Sequence, residues 1–96
     1  MSVTQARPSA ALPLDQPWRL HPQVALRDES FGALAYHYGN RRLVFLKSRL
    51  LVELVSSLVE YDTAADAIAA IVPEEQRGAY GRALQRLADS EVIGAR

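Results

Sequence analysis

The 96-residue sequence predicts an α+β fold, a three-stranded antiparallel meander followed by three helices and winged-helix-like in outline. Three observations predict it. In FGALAYHYGNRRLVFLKSRLL, residues 31–51, apolar side chains alternate on both sides of a Gly39-Asn40 pair, as the arms of a hairpin do. From Leu46 onward the apolar spacing lengthens to that of a helix. Two further helix starts, at Thr63 and Pro73, follow at short intervals.

Residues 1–17 carry Pro8, Pro13 and Pro17 among Ala, Ser and Gln, and read as a flexible N-terminal tail. Trp18, the first bulky aromatic, opens the folded domain, residues 18–96. Val24–Glu29 reads as a short strand with Val24 and Leu26 on one face, and residues 28–32 turn the chain into the hairpin. Gly39 at the first central position suits a two-residue type II′ loop. That loop sets Tyr36 opposite Leu43, Ala35 opposite Val44 and Leu34 opposite Phe45. Leu34, Tyr36, Leu43 and Phe45 then share a large apolar face, which is expected to be core. The other face, with Ala33, Ala35, His37, Arg42 and Val44, is smaller and mixed.

Leu46, Leu50, Leu51, Leu54, Val55, Leu58 and Val59 form one stripe of an amphipathic helix, which Ser48 is placed to cap and which ends near Tyr61-Asp62. Thr63-Ala-Ala-Asp66 is a capping-box variant opening a second helix, with Ala64, Ile68, Ile71 and Val72 inward. Pro73-Glu74-Glu75 starts a third, because Pro suits a first turn and the helix dipole favours acids there. Tyr80, Leu84 and Leu87 supply its buried face, and Val92 and Ile93 close the core. Gly78 and Gly81 weaken this helix by about 1 kcal/mol each relative to Ala and lower its side-chain wall.

Composition narrows the chemistry. The absence of Cys removes disulfides, thiolate metal sites, thiol nucleophiles and iron–sulfur ligation. No apolar run approaches the roughly 20 residues that span a bilayer, and the N-terminus lacks the basic-then-apolar order of a secretory signal. A cytoplasmic protein without membrane contact is expected. The net charge of zero hides an asymmetry. Residues 1–49 hold seven basic and three acidic side chains, and residues 50–96 hold four basic and eight acidic. The only histidines, His21 and His37, lack neighbours at metal-ligand spacing and read as surface polar residues. Glu74-Glu75 reads as a helix start, and no phosphate loop occurs. No catalytic constellation, metal site or cofactor is expected.

Arg41, Arg42, Lys47 and Arg49 form the densest basic cluster, either a solvated hairpin end or an anion-friendly rim beside a strand edge. Arg86 and Asp89, three residues apart, read as a surface ion pair. A winged-helix DNA-binding or regulatory module is the alternative. Residues 73–93, however, contain three Arg against four acids, which suits phosphate contacts poorly, and no nucleic-acid partner is expected.

The order of elements, the size and the missing catalytic groups resemble the PqqD-like family of small peptide-binding chaperones. Within it, HPQVALRDESFGALAYHYGNRRLVFLKSRLLVEL looks most like the chaperones of the mycofactocin system, with FLKSR at the strand-to-helix junction and GALAYHYGNRRL in the hairpin. The resemblance runs from Trp18 to Ile93. It implies a protein that binds a short precursor peptide and presents it to a radical S-adenosylmethionine maturase, which acts on the peptide's C-terminal Val-Tyr. It further implies peptide docking by strand addition along the third strand, in the groove facing the third helix. Residues Arg41, Arg42, Leu43, Val44, Phe45, Leu46 and Lys47 would supply the strand, and Gly81, Leu84 and Gln85 the helix wall.

Overall fold

The computed structural model describes residues 13–96. Two sheets and three helices follow in the order β1 (Trp18–Leu20), β2 (Val24–Glu29), β3 (Gly32–His37), β4 (Leu43–Leu46), α1 (Arg49–Ser57), α2 (Ala64–Ile71), α3 (Arg77–Asp89) and β5 (Ile93–Ala95). Short 3₁₀ turns at Leu58–Glu60 and Glu74–Gln76 extend α1 and introduce α3. The meander is antiparallel in the order β2-β3-β4. A second, two-stranded sheet pairs β1 with β5, Trp18 opposite Ala95 and Leu20 opposite Ile93. The α+β reading therefore holds, with one sheet more than expected.

The predicted register is present: Leu34 faces Phe45, Ala35 faces Val44 and Tyr36 faces Leu43. The connection that sets it is different. Arg41 N–H donates to the His37 carbonyl at 2.7 Å, and Arg41 itself takes a left-handed φ of 64°. The loop thus has four residues, 38–41, and Gly39 is not in the left-handed region a type II′ turn requires. His37 holds the loop from inside. Its Nδ1 accepts from the backbone N–H groups of Gly39 at 3.0 Å and Asn40 at 3.1 Å. At 3 % exposure His37 is a buried template for the loop rather than a surface polar residue.

The expected core face is reversed. Ala33, Ala35 and Leu46 are buried beneath the helices, whereas Leu43 and Phe45 are more than half exposed and Tyr36 lies at the surface. Alternation dictates which residues share a face, and helix packing decides which face is covered. The small Ala33 and Ala35 side chains let α1 approach β3 closely and set Leu54, Val55 and Leu58 against the sheet. Ala64, Ala67 and Ile68 of α2, Leu84 and Leu87 of α3, and Val92 and Ile93 complete the core.

The helix caps are those the sequence predicts. Ser48 Oγ accepts from Leu51 N–H and Thr63 Oγ1 from Asp66 N–H. The start of α2 has two further acceptors: the Gln16 and Leu14 carbonyls take the N–H groups of Ala64 and Ala65. Part of the expected tail, residues 1–12, lies outside the described residues, but packed structure begins upstream of Trp18. At the end of α3, Glu91 N–H donates to the Ala88 carbonyl and Val92 N–H to the Leu87 carbonyl, a Schellman cap. Its left-handed position is filled by Glu91, φ 65°, where Gly is usual.

Candidate functional site: a groove between a strand edge and a helix

A hydrogen bond from His37 N–H to the Arg42 carbonyl makes residues 37 and 42 a bonded pair of the β3–β4 ladder. Bonded and non-bonded pairs alternate in an antiparallel ladder, so Val44 and Leu46 turn their N–H and C=O groups toward β3. Those of Leu43 and Phe45 point the other way, to the free edge of the sheet. An edge of this kind is a template for one more strand.

Beyond that edge runs a groove of about 470 Å³. Phe45 and Lys47 form its strand side, Ser48, Leu51 and Tyr80 its floor, and Ala79, Ala83 and Arg86 its helix wall. Residues 79, 83 and 86 recur at i, i+4 and i+7 on one stripe of α3, and the two alanines keep that wall low. Ser48 Oγ and Tyr80 Oη lie 2.8 Å apart and tie the floor together. Cations flank the groove. Lys47 and Arg86 line it, and Arg41 and Arg42 stand exposed at the hairpin end.

The residues expected to form the site are only partly brought together. Phe45 and Lys47 reach the groove with their side chains, and Leu43 contributes its backbone edge. The side chains of Val44 and Leu46 point inward, and Leu46 is fully buried. On α3 the three expected residues lie elsewhere. Leu84 is core, Gly81 is covered by Leu14, and Gln85 lines a separate hollow with Trp18 and His21, donating to Asp89 at 3.0 Å. Asp89 is thereby engaged, and Arg86 makes no ion pair with it among the described residues. Ser48, Leu51, Ala79, Tyr80, Ala83 and Arg86 went unnoticed as groove residues. The signal for them was the small-small-cation stripe at 79, 83 and 86, one step around the helix from the apolar face.

The model of the peptide chaperone MftB family matches residues 17–94. The chain belongs to that family. A peptide chaperone MftB of Mycolicibacterium smegmatis is 45% identical over 91 residues, covering 94% of this chain and 89% of the relative. The peptide chaperones MftB of Mycobacterium ulcerans and Mycobacterium tuberculosis are each 45% identical over 80 residues, 82% of this chain and 73% of theirs. No solved structure matches the chain. The MftB family match spans all five strands but for the end of β5 and all three helices, and so includes the whole groove. Among the described residues, no helix is long and apolar enough to cross a membrane.

Proposed function

We propose that this protein is a peptide chaperone of mycofactocin biosynthesis that binds a short precursor peptide by strand addition to β4 and presents it to a radical S-adenosylmethionine maturase. The observation that carries this reading is the pair of outward-facing backbone edges at Leu43 and Phe45, opening onto a groove with a low helix wall. A peptide laid there completes the ladder, so affinity comes from main-chain hydrogen bonds and selectivity from the side-chain positions of the groove. The protein's own contribution to rate is ordering. A flexible peptide held by one segment meets the maturase with much of its conformational entropy already lost. The reacting end stays free because the grip is on the strand edge. Lys47 and Arg86 suit an acidic peptide segment, and the exposed Arg41 and Arg42 steer its approach.

Chemical-shift mapping with the precursor peptide tests this. Perturbations are expected at residues 43–47 and along Ala79, Ala83 and Arg86. Perturbations centred on Val24–Arg27, with none over residues 42–46, would exclude docking at β4.

A further inference from the structure

Leu43 and Phe45 are the residues of β4 whose backbone points to the free edge, and their side chains are 55 % and 54 % exposed. Edge strands commonly carry charge at such positions, which discourages pairing. Here the charge comes two residues on, at Lys47. That side chain is exposed, lines the groove with Phe45 and makes no ion pair among the described residues. The edge is thus open along its apolar part and cationic at its end.

We infer that the β4 edge reads side chains as well as backbone, selecting a peptide segment with an acidic residue two positions before an apolar one. The inference rests on the reading above, that the peptide adds as a strand to β4. The meander is antiparallel throughout, and in an antiparallel addition Leu43 and Phe45 each exchange both backbone bonds with one peptide residue. The peptide then runs opposite to β4, so the residue facing Lys47 precedes the one facing Phe45 by two. Directly opposite side chains lie on the same side of the sheet, about 5 Å apart at Cβ. A carboxylate suits the place beside Lys47, and an apolar group suits the place beside the half-exposed Phe45 ring. The residue between them turns its side chain to the other side, over Leu51, Ala79 and Ala83, where the low wall admits an apolar group.

Arg86 is a separate cation. Tyr80 is fastened to Ser48, the neighbour of Lys47, and Arg86 follows Tyr80 along α3 by about 9 Å of helix axis. The two cations therefore address different parts of the peptide.

The test uses the full-length protein and the precursor peptide, with dissociation constants read by fluorescence anisotropy. Each acidic residue of the peptide is replaced by Lys in turn, and each product is titrated into the wild-type protein, Lys47→Glu and Arg86→Glu. Both side chains are exposed, and thermal melts verify that the variants fold. One replacement should weaken wild-type binding about tenfold, and Lys47→Glu, but not Arg86→Glu, should restore it to within about threefold. Two residues after that position, an apolar peptide residue should couple to Phe45. Its replacement by Ser should cost less in Phe45→Ala than in the wild-type protein. The absence of any rescued position, rescue by Arg86→Glu, or an apolar partner on the N-terminal side of the rescued acid overturns the inference. Strand addition is scored separately by N-methylating successive peptide residues, which should weaken binding about tenfold at every second position of the bound segment. Alternation without a charge rescue leaves strand addition standing and overturns the side-chain readout. Binding without alternation refutes strand addition, and the readout with it.

Discussion

Ser48 and Tyr80, 32 residues apart in sequence, share a hydrogen bond of 2.8 Å between their hydroxyls at the floor of the groove. The same Ser48 Oγ accepts from Leu51 N–H, so one oxygen caps α1 and fastens α3 to the strand-to-helix junction. The width of the groove thus depends on a cap.

Ser48→Ala should cost about 1–2 kcal/mol, because it removes both the cap and the partner of Tyr80. Tyr80→Phe should cost about 1 kcal/mol. The double variant should lose less than the sum of the two, since the shared bond is counted in both. Urea unfolding of the three variants measures this, and strict additivity would show that the two hydroxyls act independently.

Leu43→Asp and Phe45→Asp should both fold, each losing about 1 kcal/mol or less, because these side chains are already in water. Leu46→Asp, one residue on and fully buried, should abolish the folded state. Circular dichroism melts distinguish the three.

Proline separates the two sides of β4. Val44→Pro removes an N–H directed at β3 and should destabilise the sheet, while Phe45→Pro removes one at the free edge and should spare it. Peptide affinity should fall sharply in Phe45→Pro and much less in Phe45→Ala, which keeps the N–H. Equal losses in those two variants would assign binding to the ring rather than the backbone.

Arg41 and Glu91 both occupy left-handed backbone that Gly takes without strain. Glu91→Gly should raise stability by about 1 kcal/mol, seen as a higher melting temperature. Arg41→Gly should do the same while slowing peptide association at low salt, since it also removes a steering cation. An unchanged association rate would identify Arg41 as an ordinary loop residue.

Register and helix caps were legible because each is local: alternation along β2 to β4, and hydroxyls at Ser48 and Thr63 placed before apolar stripes. The orientation of the sheet was not. Leu34, Tyr36, Leu43 and Phe45 look like a core because they are large, but Ala33 and Ala35 are what a closely packed helix requires, and only the packing reveals that. The β1–β5 pair left no trace because three-residue strands with 72 residues between them carry no periodicity. On α3 the groove wall was hidden by its own composition. Ala79 and Ala83 announce nothing, whereas Gly81 drew attention and proved to lie under Leu14.

The pairing of Trp18–Leu20 with Ile93–Ala95 also orders events during synthesis. Arg96 extends it by donating its backbone N–H to the Pro17 carbonyl at 3.1 Å, and its guanidinium donates to the Val59 carbonyl at 2.7 Å. The meander and α1 can assemble from neighbouring segments as they emerge from the ribosome, but β1 must wait for nearly the whole domain to be translated. Closing so long a loop is slow relative to the hairpin. A nascent chain stalled before residue 93 should therefore present a formed β4 edge and an unclosed core. It should be sensitive to protease at residues 17–21 until the last strand arrives.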